Sequence, residues 1–169
     1  MAPFLLRALK SNAALPANPD GAARLQQRIA AAARPHAAPL PRTSAPARTA
    51  AVSGVAYRVD ANPLGVRAMQ LRFLDAAQAE AEIALRDGQL TVPVGLDGAF
   101  RFGTDPKTGE AFAGRGRWLA ADDFLLEIDT IGRISFFSLR LRFAGETLSI
   151  RVTERAGLIA ADLTGRAAR

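Results

Sequence analysis

A mainly β domain that follows a helical segment is what this sequence predicts, and three observations carry the prediction. From residue 51 onward apolar residues recur at every second position, as they do in strands that bury one face. The dipeptides Asp87-Gly88 and Asp97-Gly98 stand between such runs, where two-residue hairpin turns belong. No helix-length pattern interrupts the series.

The helical segment comes first in the chain. Asn18 is a candidate N-cap, Pro19 suits the first helical position and Asp20 the first turn, and good helix formers follow to residue 33. Ala22, Leu25, Ile29 and Ala32 form a thin apolar stripe, and so short a helix needs a larger body to lie against. Residues 1–34 are therefore read as a helical tail and 35–50, rich in Pro, Ala and Arg, as an extended linker. Residues 51–169 are read as the β domain.

Within that domain Val55, Tyr57 and Val59 alternate, then Met69, Leu71 and Phe73, then Ala79, Ala81, Ile83 and Leu85. The turn at 87–88 leads to Leu90, Val92 and Val94, and the turn at 97–98 to Phe100 and Phe102, so antiparallel neighbours are expected at both. After the loop 103–110 come Phe112, Gly114, Gly116 and Trp118, then Phe124, Leu126 and Ile128, then Leu139, Leu141 and Phe143. Leu148, Ile150 and Val152 follow, and residues 158–165 close the chain. A meander of about eight to ten short strands hides its edges best as an antiparallel up-and-down barrel or a strongly curled sheet, lipocalin-like in form. Gly114 and Gly116 share a strand face and would relieve crowding where the sheet bends.

Composition removes several function classes. The chain of 169 residues has no cysteine, so disulfides, thiolate metal sites and cysteine nucleophiles are excluded. The single imidazole, His36, lies in the Pro-rich stretch. The formal charge of +6 would raise nucleic acid as a partner, but residues 1–50 hold seven Lys or Arg against one acid and so account for all of it. Residues 51–169 are neutral, with their charges interleaved along the strands, and no nucleic-acid partner is expected. No apolar run approaches the roughly 20 residues of a membrane helix. The first residues make a poor secretory signal and only a faint transit-peptide pattern, so a cytoplasmic location and no membrane partner are expected.

Two groups of side chains invite a functional reading. Glu127 and Asp129 stand two apart on one strand face, as hydrolytic carboxylates can, but Arg140 and Arg142 have the same spacing on the next strand, and cross-strand ion pairing explains both. Trp118, Phe124, Phe136 and Phe137 form either part of the core or the lining of a barrel mouth that holds an apolar ligand. Asp122 and Asp123 lack the spaced oxygen ligands of a calcium loop, and neither glycine-rich phosphate motif occurs, so no metal or cofactor is expected.

The segments 53-SGVAYRVDANPLGV-66, 93-PVGLDGAFRF-102, 115-RGRWLAADDFLLEIDTIGRISFFSLRLRF-143 and 151-RVTERAGLIAADLTGR-166 resemble, in order, the C-terminal noncatalytic β domain of bacterial serine hydrolases of the β-lactamase and penicillin-binding-protein-like superfamily. The stretch 5-LLRALKSNAALPANPDGAARLQQRIA-30 is similar to the segment by which that family leaves its catalytic domain. Catalysis in the family depends on an S-x-x-K motif, and no serine here has a lysine three residues on. No catalytic residue is therefore carried over. The resemblance implies an accessory domain that acts by contact with a serine hydrolase catalytic domain encoded separately or lost. A free-standing barrel that binds a small apolar ligand is the alternative.

Overall fold

The computed structural model describes residues 17–33 and 46–168. The chain divides into two compact units between Ala37 and Ala38. In the first, helix α1 spans Pro19–Ala33 and begins as the sequence predicts. The Asn18 side-chain oxygen accepts the Gly21 backbone N–H at 2.7 Å, which satisfies one of the donors a helix start leaves open. The expected stripe residues Leu25 and Ile29 are 58% and 51% exposed.

The second unit opens with a one-turn helix, α2 (Arg48–Val52), and continues in ten strands. These are β1 (Ala56–Val59), β2 (Val66–Phe73), β3 (Gln78–Leu85), β4 (Gly88–Gly95), β5 (Arg101–Thr104), β6 (Ala111–Ala120), β7 (Asp123–Thr130), β8 (Phe136–Ala144), β9 (Thr147–Glu154) and β10 (Ala160–Ala167). Hydrogen bonding follows the order β4-β3-β2-β1-β10-β9-β8-β7-β6-β5. Every neighbouring pair in that order is antiparallel. A short parallel contact, Val94 with Gly114 and Gly95 with Arg115, joins β4 to β6 and closes nine of the strands into a barrel. The expected barrel is thus the observed fold.

Two sequence expectations are corrected in detail. Asp97-Gly98 does not make a β4/β5 hairpin ladder: β5 bonds to β6 instead. The five residues 96–100 form a wider corner, held by an Asp97–Arg101 ion pair at 2.8 Å and by the Asp97 carboxylate accepting the Ala99 N–H. The guanidinium beside Asp97 holds its carboxyl below the usual carboxylate range. The segment expected to stay extended to residue 50 turns helical at Arg48, and Val52 is buried in the barrel core. Residues 34–45, with His36, lie outside the described residues.

Gly114 and Gly116 relieve crowding as expected. A Cβ at Gly114 would lie 2.5 Å from the Pro93 carbonyl and the Val92 methyl, so only glycine lets β4 approach β6 closely enough to seal the barrel. A Cβ at Gly116 would lie 2.5 Å from the Phe124 ring, which fills the space above it.

Strand alternation then decides what lies inside. Met69, Leu71, Ala81, Ile83, Val92, Leu126, Leu141, Ile150 and Leu163 all take inward positions and form one continuous core. Burial of this kind is worth about 25 cal/mol for each Å² of apolar surface removed from water, and it is what holds a barrel with little helical support together.

Candidate functional site

The two ends of the barrel are filled differently. At the end where β1 begins, Trp118 stands among three phenylalanine rings. Its ring centroid is 5.2 Å from Phe124, 5.8 Å from Phe73, against which it stacks, and 5.9 Å from Phe143. Phe73 meets Phe124 edge-on and Phe143 meets Tyr57 at 5.8 Å, so the rings adopt the offset and tilted contacts that aromatic quadrupoles favour. Burial raises the Tyr57 hydroxyl pKa. Helix α2 belongs to this end as well, with Val52 in the core and Arg48 ion-paired to Asp122 of the β6–β7 turn at 2.5 Å.

At the opposite end the interior is open. A cavity of about 590 Å³ lies inside the mouth formed by the β1–β2, β3–β4 and β5–β6 connections. Its walls are inward-facing side chains from the mouth ends of the strands, among them Val66, Ile83, Leu90, Phe112, Ile128 and Phe137. Leu139, Val152 and Ile159 complete the apolar surface. Burial changes step by step along the barrel axis. Ile83, Ile128, Leu139 and Val152 keep 5–8% exposure, whereas Ala81, Leu126, Leu141 and Ile150, one inward position deeper, keep 0–2%. The cavity therefore has a floor. It ends where the side chains of opposite walls meet.

The rim is polar. Arg86 and Asp87 stand at the β3–β4 turn, and Asp105, Lys107 and Glu110 on the β5–β6 loop. Asp105 is committed to that loop: its carboxylate accepts the Lys107 and Thr108 backbone N–H groups, which holds its pKa below the usual carboxylate range. Glu110 is committed to an ion pair with Arg133. At the same end Ile134 and Leu158 are exposed on the β7–β8 and β9–β10 loops.

Of the four aromatic residues predicted for an apolar pocket, the barrel brings only Phe137 to the cavity. Trp118 and Phe124 belong to the filled end, so the core reading holds for them. Phe136 faces the outside, where it meets Phe100 edge-on at 6.4 Å and lies under the Arg155 guanidinium at 5.1 Å. Adjacent residues on a strand point to opposite faces, and that alone separates Phe136 from Phe137.

The predicted pairing of Glu127 and Asp129 with Arg140 and Arg142 is also corrected. The loop 131–135 sets a register in which Asp123 faces Arg142 and Glu127 faces Ser138. Glu127 pairs instead with Arg115 of β6 at 2.7 Å. Arg140 grips the buried Asp123 carboxylate through two nitrogens, at 2.9 and 2.6 Å, and Arg142 reaches it at 3.4 Å. The Arg140 guanidinium pulls the Asp123 carboxyl below its usual range, and the carboxylate in turn raises the Arg140 pKa. Glu127 and Asp123 are thus engaged in cross-strand ion pairs on the outer wall, whereas Asp129 forms none among the described residues.

One inward carboxylate escaped the sequence reading. Glu154 continues the buried face of β9 beyond Val152 and is 7% exposed. One carboxylate oxygen accepts the Ala156 and Leu158 N–H groups and so caps the β9–β10 turn, while the other, Oε1, is enclosed without a hydrogen-bond partner. The alternation of Leu148, Ile150, Val152 and Glu154 was visible in the sequence as the signal for it.

No family model matches the chain, and no curated protein matches it significantly. No group of three or more His, Asp or Glu side chains placed to hold a metal ion occurs among the described residues. No helix among them is long and apolar enough to cross a membrane.

Proposed function

We propose that the barrel is a noncatalytic binding module that takes a small, largely apolar molecule into its open end. The observation that carries this reading is the cavity itself. At about 590 Å³ it falls within the ~300–1,000 Å³ of small-molecule sites, and it combines apolar walls with a few polar groups gathered at one side. Removing an apolar molecule from water against Ile83, Ile128 and Phe137 supplies the driving force, and the filled end supplies the rigidity that keeps the walls apart. Titration with the environment-sensitive dye 1-N-phenylnaphthylamine tests it. A saturable rise in fluorescence at one dye per chain, reversed by 1-decanol, is expected. A linear response without saturation contradicts the reading.

A second reading is favoured by a different observation. Leu25 and Ile29 present an apolar stripe to solvent on α1, which suits a segment that docks on another domain. Together with the resemblance to the C-terminal domains of β-lactamase-related serine hydrolases, it supports an accessory role beside a separate catalytic domain. Because no S-x-x-K occurs in the chain, nitrocefin should remain intact in its presence. Turnover that disappears on substitution of one serine contradicts this.

A further inference from the structure

The rim of the cavity carries two cations that no carboxylate among the described residues holds in an ion pair, and this bears on the chemistry of the ligand. Among the described residues neither Arg86 nor Lys107 forms an ion pair within 4 Å, although ten such contacts occur elsewhere. Both line the cavity. Lys107 reaches from the β5–β6 loop to the beginning of β4, where its Nζ lies 3.3 Å from the place a Cβ on Gly88 would occupy. Arg86 lies on the other side of the same turn, with its Cβ 3.5 Å from the corresponding point of Gly65. The two cations thus flank the β3–β4 turn at the lip of an apolar chamber.

The carboxylates of the rim do not cancel them equally. Glu110 is bound to Arg133, and Asp105 spends its oxygens on the N–H groups of its own loop. Asp87 makes no such contact, and Asp105 keeps its negative charge two residues from Lys107, so the two cations stand beside two carboxylates but are held by neither in an ion pair. A molecule with its apolar body on Ile83, Ile128 and Phe137 would bring its polar end to this lip. There an anionic group gains ion-pair attraction as well as hydrogen bonds from the cationic donors, a neutral group gains the hydrogen bonds alone, and a cationic group meets repulsion.

We propose that the ligand is a single-chain amphiphile with a carboxylate head, the chain held in the cavity and the carboxylate at Lys107 and Arg86. This rests on the cavity being a binding site, and a set of probes with one chain and three heads keeps the two ideas apart. Decanoate, 1-decanol and decyltrimethylammonium, each below its micellar concentration, are titrated by calorimetry against the full chain. Decanoate is expected to bind about three- to tenfold tighter than decanol, with the cationic probe weakest, and the preference is expected to shrink as salt is added. In the variants Lys107→Gln and Arg86→Gln the decanoate affinity should fall by a larger factor than that of decanol, so that the two converge, and Lys107→Arg should restore most of the preference. Equal affinity for decanoate and decanol, or a preference untouched by both glutamine variants, overturns the head-group assignment and leaves the cavity reading standing. Failure of all three probes to bind overturns both.

Discussion

The closed and open ends of this barrel are built from the same strands, yet one is packed and the other hollow. At the closed end the inward positions carry Tyr57, Phe73, Trp118, Phe124 and Phe143, and α2 adds Val52. At the open end the inward positions are mostly aliphatic, with Val66, Ile83, Ile128 and Val152 beside Phe112 and Phe137, and an open lumen lies between them. The strands set the diameter, and side-chain volume decides whether the space is core or cavity. The difference teaches that packing, and with it stability, is concentrated at one end, while the space for the proposed ligand lies at the other.

Substitutions should show that division, most strongly at the closed end. Phe124 is fully buried and touches Trp118 and Phe73, so Phe124→Ala should cost about 3–5 kcal/mol in urea unfolding. If it does so with an unchanged dye affinity in the fraction that remains folded, the ends are independent. Overpacking gives a sharper contrast. Ile150 and Val152 are neighbours on the inner face of β9, one in the floor and one in the cavity wall. Ile150→Phe should cost about 1–3 kcal/mol, whereas Val152→Phe should cost less than about 1 kcal/mol and abolish dye binding. Equal costs would place the cavity among packed core.

Glu154 tests the rigidity of the mouth. Glu154→Ala removes the acceptor for two backbone N–H groups and should cost about 1–3 kcal/mol, with faster hydrogen exchange confined to 155–159. The smallest effect is electrostatic and depends on pH. Asp123 has a folded-state pKa below its unfolded value, so its contribution is present above the ordinary carboxylate pKa near 4 and is lost as pH falls through the folded value. Asp123→Asn should therefore destabilise by about 1 kcal/mol at pH 7, and the gap to the parent should close as the pH falls through the lowered folded-state pKa of Asp123. A gap independent of pH would assign the effect to packing.

How much of this was legible beforehand follows from what sets each feature. Period-two alternation and glycine positions are local, so the barrel and the roles of Gly114 and Gly116 could be read from the chain. Ion-pair partners depend on register, and register here depends on the length of the 131–135 loop, which the sequence pattern around Gly132 does not fix. The cavity depends on something more remote still. Which end of the barrel α2 covers is settled by tertiary contacts of Val52 and Arg48, so four aromatic residues looked like a pocket lining when two of them, Trp118 and Phe124, are the packing of the other end. Aliphatic residues such as Ile83 and Val152 carry no signal that separates wall from core.

Methyl NMR of the full chain with saturating 1-N-phenylnaphthylamine shows whether the proposed binding of apolar molecules is confined to one end of the barrel. Shifts are expected in the methyl signals of Ile83, Ile128, Leu139 and Val152, with those of Val94, Leu141 and Leu148 unmoved. Shifts spread over both ends, or confined to exposed side chains such as Ile134 and Leu158, would contradict it.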